Sequence, residues 1–341
     1  MKTIKDVAKL ANVAISTVSY ALNDTGKISK DTKERVLKAA KELGYIPNGV
    51  ARDLKSNKKT GIICVFVGDL GGPFFSEVMK GIQEEAIKNN YNLIACNHNM
   101  AGRFLSERRV DGAIILSAEV PNDLLLSVAG PNFPIVVMDR ELESEYIHNV
   151  LLDSKQGGYL ATKYLIELGN KNISYFSGAY SSSYDNNKRF EGYKQALVEN
   201  GLIFDDNLVV QGGFTEEGGY KAMKLLLLKS RLDDNPIDAI FCGNDEMAIG
   251  AMNSLKEEDI RVPEDISVVG YDDITLASYM QPSLTTISHY KYGWGVMAAH
   301  LVIEGVKNKI KSKNIILPPK LIVRNSCRTE SDYSTAAKKL V

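Results

Sequence analysis

Carboxylates, an arginine and aromatic rings recur just after the apolar runs of this chain. Asp69, Phe74 and Phe75 follow the run at 61–67, and Asp139 with Arg140 follows 135–138. Tyr184, Asp185 and Arg189 follow Ser177-Gly178, Phe214 follows 209–213, Asn244 follows Cys242, and Asp272 follows Gly270-Tyr271. Carboxylates accept from hydroxyls, a guanidinium donates a two-pronged fork, and aromatic faces cover C–H surfaces. The set therefore suits a polyhydroxylated ring. Any one of these residues alone is more often a helix cap or core packing, so the reading rests on the set. Catalysis finds no comparable support. His98, His148, His289 and His300 are scattered without metal-ligand spacing. There is no P-loop, no Gly-x-Ser-x-Gly and no His-Glu-x-x-His. Gly71-Gly72 ahead of a helix could cradle a phosphate, but bulky Phe74-Phe75 follows at once. No metal and no cofactor is expected.

A second chemistry-bearing group lies near the start. The spacing of Val18, Ala21 and Leu22 predicts a helix over 15–22 that turns Ile15, Ser16, Ser19 and Tyr20 outward. Before it, Ile4, Val7, Ala8 and Ala11 form an apolar stripe, and Asn12-Val13-Ala14 breaks it. After it, Asn23-Asp24-Thr25-Gly26 is turn chemistry. Ser29 is a good N-cap for a third helix, with Asp31 and Glu34 suited to its dipole. Val36, Ala40 and Leu43 supply the buried stripe of that helix, and Gly44 stops it. Three such helices make a helix-turn-helix unit whose outward side chains reach base edges in a major groove.

Charge supports this division. The whole chain of 341 residues has a net charge of -1, but residues 1–60 hold 13 Lys/Arg against 6 Asp/Glu, and the remainder holds 28 against 36. A basic head on an acidic body is the footprint of a chain that touches a polyanion with one end. Between them, Pro47 favours a helix start, and Val50, Ala51 and Leu54 share one face of a helix over 48–55. Such a short helix is marginal alone, and Ser56-Asn57-Lys58-Lys59 follows as a polar tether.

The body alternates unbroken apolar strands with helices, which means parallel sheets covered on both faces. Strands are expected at 61–67, 92–96, 113–116, 135–138 and 149–152, then at 173–177, 208–211, 239–242 and 267–270. Helices are expected at 73–89, 154–168, 187–200 and 293–306. Loosely similar segments, Gly81 to Ala86 and Gly192 to Ala196, hint at two related lobes. Only 13 residues, 97–109, join the second strand to the third, so the helix there is expected to be truncated. The composition, 44% hydrophobic and 24% charged, is that of an ordinary globular protein. No run approaches about 18 apolar residues, so no membrane span is expected. The polar start is unlike a secretory signal, and a cytoplasmic location follows. Of four cysteines, three sit in apolar runs and read as small core residues rather than a disulfide set.

The motifs also carry a family resemblance. Ile4-Lys5-Asp6-Val7-Ala8, Ser16-Thr17-Val18-Ser19 and Leu43-Gly44-Tyr45-Ile46-Pro47-Asn48 together resemble the headpiece of the LacI/GalR family of bacterial transcription regulators. The resemblance implies a domain order: a helix-turn-helix headpiece at 1–46, a hinge helix and linker at 47–60, and an effector-binding and dimerisation body at 61–330. It implies that the body is α/β, with two Rossmann-like lobes of periplasmic-binding-protein type. Lobe one would hold about 61–152 and 291–321, and lobe two about 155–288 and 323–330. Crossovers would lie near 152–155, 288–291 and 320–323, with a polar tail at 331–341.

By the same resemblance Ile15, Ser16 and Tyr20 read bases, Thr17 and Ser19 sit near phosphates, and Leu54 is a wedge between base pairs. Asn48, Ala51, Arg52 and Lys55 flank that wedge in the hinge. An apolar wedge unstacks one step and kinks the duplex. Arg189, Asn244-Asp245 and Asp272 match effector positions, and Phe75, Asp139 and Phe214 match them less specifically. Two departures stand out. Ala14 replaces a capping Ser, and Tyr20 replaces a common Arg, which removes a bidentate reader of guanine.

The reading that follows is a homodimeric repressor of carbohydrate-utilisation genes on a pseudo-palindromic operator, controlled by a small effector, a sugar, in the interlobe cleft. Alternatives are control by a purine or a phosphocarrier protein. A carbohydrate-binding protein or sugar enzyme with no DNA role is the reading from another class. Retention on DNA against salt separates them, because several phosphate contacts give a steep salt dependence.

Overall fold

The structure is a computed structural model that describes residues 2–23, 26, 28–46, 59–68, 71–178, 183–232 and 236–328. Asp69, the tail 329–341 and the hinge residues Asn48, Ala51, Arg52, Leu54 and Lys55 lie outside the described residues. The chain divides into two units, Met1–Thr60 and Gly61–Val341.

The first unit holds three helices, α1 (Ile4–Ala11), α2 (Ile15–Asn23) and α3 (Lys30–Glu42). The apolar stripes dictate their packing. Val7, Val18 and Val36 are fully buried, and small alanines fill the space between them. The Thr3 backbone N–H donates to the Asp6 carboxylate at 2.8 Å, which closes the start of α1. Ser29 Oγ accepts from the Thr32 N–H at 3.2 Å, as its cap position requires. Gly44 has a φ of +60°, and Tyr45 N–H donates back to the Ala40 carbonyl at 2.9 Å, which ends α3.

The second unit has two sheets. The first lobe runs β1 (Ile62–Val67), α4 (Pro73–Lys88), β2 (Asn92–Asn97), a 3-10 turn (His98–Met100), α5 (Ala101–Ser106), β3 (Gly112–Leu116), α6 (Asn122–Val128), β4 (Ile135–Val137) and β5 (Ile147–Leu152). The chain then enters the second lobe with α7 (Ser154–Glu167), β6 (Ile173–Ser177), α8 (Tyr184–Glu199), β7 (Val209–Gln211) and α9 (Glu216–Leu232). That lobe continues with β8 (Ala239–Cys242), α10 (Asp245–Glu257), β9 (Ser267–Tyr271), α11 (Thr275–Tyr279) and β10 (Thr285–Ser288). Finally α12 (Lys291–Asn308) and β11 (Asn314–Leu317) return to the first sheet, and β12 (Lys320–Ile322) joins the second.

The sheet orders are β11-β5-β4-β3-β1-β2 and β12-β10-β9-β8-β6-β7. Every pairing is parallel except that of β10 with β12. The first sheet has α4 and α12 on one face and α5 and α6 on the other. In the second, α9, α10 and α11 cover one face and α7 and α8 the other. Two-sided burial is why the strands read as unbroken apolar runs.

Two details differ from or sharpen the sequence reading. The third passage between lobes is at residues 318–319, ahead of the expected 320–323, so Lys320 and Leu321 pair with β10 instead of lying in lobe one. The consecutive prolines Pro318 and Pro319 lack N–H donors, so the strand breaks there and the chain changes sheets. The short 97–109 connection holds only the six-residue α5, whose Ala101 and Leu105 still reach the core beside Cys64 and Phe66. All four cysteines are free, and Cys64, Cys242 and Cys327 are buried. Among the described residues no helix is long and apolar enough to cross a membrane.

Candidate functional site

On the head, α2 presents Ile15 and Tyr20 to solvent, 42% and 48% exposed, with Ser16 exposed beside them. Thr17 and Ser19 are half-buried. The Asn23 amide donates to the Ser19 carbonyl at 2.8 Å, which steadies the end of the helix. The Tyr20 ring lies against Gly26, where a Cβ would sit 3.1 Å from the ring. The Ala14 carbonyl accepts the Val18 N–H, but alanine offers no side-chain oxygen to the first turn.

In the body, the carboxyl ends of the strands carry the other candidates. Asp185 and Arg189 stand one turn apart near the start of α8. Asp185 accepts a 2.7 Å hydrogen bond from Ser154 at the start of α7. The Arg189 guanidinium is buried. It stacks over Tyr271 at 3.8 Å, donates to the Gly243 carbonyl, and comes within 3.7 Å of Asp272. Asp272 follows β9 with a φ of +105°, a backbone state unfavourable for a side-chain-bearing residue, and one that sets its carboxylate beside the arginine. The Phe214 ring lies on Gly178, where a Cβ would be 2.0 Å away, so only glycine admits it. Asn244 makes two hydrogen bonds within the protein. Its oxygen caps α10 by accepting from Met247 N–H at 3.0 Å, and its amide donates to the Phe214 carbonyl at 3.0 Å. Asp245 is also turned inward, accepting from Thr286 at 2.6 Å and from the Ile274 N–H at 2.8 Å.

Lobe one contributes Phe74 and Phe75, half-buried and edge-to-face at 5.3 Å in the first turn of α4. Asp139 follows β4 and pairs with Arg140 at 3.2 Å. Arg140 is held in turn by the carbonyls of Ser117, Ala118 and Val120 and by Asn122. Burial raises the Asp139 carboxyl to about 6 against the pull of Arg140, and Asp185 of the other lobe pushes it the same way. Burial also raises Asp272 to about 7, with Arg189 and Lys291 opposing, and raises Asp185 against Arg189.

Several neighbours were not legible in the sequence. Lys291, at the second passage between lobes, is buried and donates to the carbonyls of Asp272 and Asp273. His289 packs on Tyr271 at 5.0 Å, and burial lowers it to about 3, so the imidazole is neutral. Its two ring nitrogens, Arg189 Nε and Ser177 Oγ are buried without a hydrogen-bond partner among the described residues. Buried polar atoms normally find partners in the protein or in ordered water. Only the positions of these residues between strand end and helix start could have signalled them. Among the described residues there is no group of three or more His, Cys, Asp and Glu able to hold a metal ion.

Comparison with known proteins agrees with this architecture. Residues 3–48 match the model of bacterial regulatory proteins of the lacI family, and residues 162–327 match a periplasmic binding protein-like domain. A curated relative, the HTH-type transcriptional repressor PurR of Histophilus somni, is 37% identical over 96% of this chain and 100% of its own length. The protein of the same name from Vibrio atlanticus is 38% identical over 96% and 99%. A solved lac repressor dimer, bound to operator and the anti-inducer ONPF, superposes with a TM-score of 0.79 at 26% identity, over 96% of this chain and 99% of that one. A transcriptional regulator CelR–cellobiose complex gives 0.72 at 30% identity, over 96% and 100%. This chain belongs to the lacI family of bacterial regulatory proteins, and it is a DNA-binding transcriptional repressor rather than an enzyme.

Proposed function

We propose that the repressor works as a cytoplasmic homodimer on a pseudo-palindromic operator and releases or grips it according to a small effector in the cleft, a sugar. Two heads on a two-fold axis read two half-sites. Ile15, Ser16 and Tyr20 reach base edges, Thr17 and Ser19 lie by phosphates, and the hinge residues Asn48, Ala51, Arg52, Leu54 and Lys55 enter the minor groove. In the cleft, Asp139 and Asp185 accept hydroxyls from opposite lobes, Arg189 and Asp272 hold the ring edge, and Phe74, Phe75 and Phe214 with Asp69 and Asn244 frame it. Closure around the ligand moves the first lobes of the dimer and changes the spacing of the hinge helices. Ligand and operator then bias each other reciprocally.

The observation that carries this reading is the buried cluster at the strand ends of lobe two, where Arg189 stacks on Tyr271 and stands 3.7 Å from Asp272. A ligand that bridges this cluster and Asp139 of lobe one rewards closure. Support also comes from relatives solved with cellobiose and with ribose. A purine is the second reading, favoured by ring faces at Phe74 and Phe214 and by acceptors that suit ring N–H groups. Calorimetry of the full chain against a panel of sugars and purines tests the reading. A sugar whose binding is lost in both Arg189→Ala and Asp139→Ala supports it. Binding of purines alone replaces sugar by the second reading, and no binding of either kind refutes the effector role.

A further inference from the structure

The turn that delivers Asp272 to the cleft is held by both lobes. Asp272 and Asp273 have positive φ, +105° and +51°, a backbone state that persists only where the surroundings fix it. The N–H groups of the turn are met within lobe two. Asp272 N–H donates to the Ile287 carbonyl at 2.8 Å, and Ile274 N–H donates to the Asp245 carboxylate at 2.8 Å. The carbonyls of Asp272 and Asp273 instead both accept from Lys291 Nζ, the second at 2.8 Å.

Lys291 is rooted in lobe one. It is the first residue of α12, and its side chain is only 3% exposed. Glu77 of α4 stands 3.7 Å from its Nζ. Three residues on, Trp294 Nε1 donates to the Val150 carbonyl of β5 at 2.7 Å. Two glycines lock α12 to α4. A Cβ at Gly81 would sit 2.1 Å from the Tyr292 carbonyl oxygen, and one at Gly295 would sit 2.1 Å from that of Val78. Backbones in such contact have no room to slide independently. A buried ammonium is costly unless its donors are met. Here carbonyls of the other lobe meet them, so the side chain favours the lobe arrangement that brings the turn to α12.

We propose that Lys291 is a positioning residue: it fixes the Asp272–Asp273 turn to α12 and passes the state of the cleft to the α4–α12 pair of lobe one. A ligand that engages Asp272 draws on the turn, and Lys291 conveys that pull to a helix pair that moves as a unit. The inference rests on the reading of the cleft as the effector site, and it adds the side chain that links that site to the first lobe.

Two measurements on the full chain test it. Hydrogen exchange without ligand compares the wild type with Lys291→Met. Exchange is expected to quicken by about tenfold or more at 271–274 and 291–294, with the α7–α8 pair unchanged. Lys291→Arg, which keeps the charge and donors, is expected to restore protection at 271–274. No change at either segment, or an increase spread evenly over the body, overturns the proposal. The second measurement is operator affinity with and without a saturating ligand, taken as whichever of ribose, cellobiose, adenine and guanine binds by calorimetry. The ligand-dependent shift, about 5–150-fold for ordinary coupling, is expected to fall below about twofold in Lys291→Met. A wild-type shift in Lys291→Met at saturation overturns the proposal. Glu77→Gln alters only the half-exposed end of the link, and it serves if Lys291→Met does not fold. It is expected to quicken exchange at 291–294 and to reduce the operator shift. Wild-type values of both in Glu77→Gln overturn the proposal. If none of the four ligands binds, the effector reading fails, and the exchange comparison alone decides whether Lys291 holds the turn.

Discussion

Gly158 is where the cleft depends most visibly on backbone contact. It lies on α7 against α8, and a Cβ added there would sit 2.1 Å from the Arg189 carbonyl oxygen. Ordinary contact begins near 3.4 Å, so Gly158→Ala forces the two helices apart by about 1.3 Å. Gly192 on α8 meets α7 in the same way, so tilting α8 gives no relief. The 2.7 Å hydrogen bond from Ser154 to Asp185 joins these two helices and stretches past useful length. Overpacking of this kind costs about 1–3 kcal/mol. A lost hydrogen bond to a charged group is worth about 1.5–3 kcal/mol, and tenfold in affinity corresponds to about 1.4 kcal/mol. Gly158→Ala should therefore lower the urea stability of the body by about 1–3 kcal/mol. It should also weaken effector binding by about tenfold or more, with operator binding in the absence of effector kept. Unchanged stability together with unchanged effector affinity refutes the claim that this helix contact sets the cleft.

Further outcomes follow from the same structure and sequence. Leu54→Ala should weaken binding to a selected operator far more than binding to random DNA, measured by anisotropy at fixed salt; equal losses exclude a wedge. Tyr20→Arg should change the preferred half-site in a selection from random duplexes, and an unchanged consensus excludes Tyr20 as a reader. Asp272, raised from 3.8 to about 7, binds a proton in the folded body that the unfolded chain releases between those values. Its contribution to stability is full below pH 4 and is lost as pH rises through 7. The stability of Asp272→Asn should therefore fall behind wild type as pH drops from 7 to 4, by at most about 1.4 kcal/mol per pH unit. A gap that shrinks on acidification contradicts the assigned protonation.

How much was legible depended on whether the signal was local. The stripes of Val7, Val18 and Val36 and the cap at Ser29 are short-range patterns, and the head follows them. The apolar strands were equally plain, because burial on both faces leaves no polar positions to blur them. The strands after α12 were not marked as strands, since Asn314–Leu317 and Lys320–Ile322 are short and half-exposed. In the cleft, Arg189 and Asp272 could be placed by their motifs, but not the stack of Arg189, Tyr271 and His289, which needs three separate strand and helix ends to converge. Asn244 carries a structural duty that its type did not announce: its oxygen caps α10 and its amide donates to the Phe214 carbonyl. Glycine packing at Gly158 and Gly192 is likewise silent in sequence, because a glycine that admits a neighbouring backbone resembles any other glycine in a helix.

The central claim is that occupancy of the cleft alters the grip of the heads on DNA. It is tested by titrating the full chain onto a labelled operator fragment, with and without the ligand that calorimetry identifies, at one salt concentration. A coupling of about 1–3 kcal/mol predicts a shift in operator affinity of about 5–150-fold, with an equal shift in ligand affinity when operator is present. Superimposable operator curves at saturating ligand would contradict it.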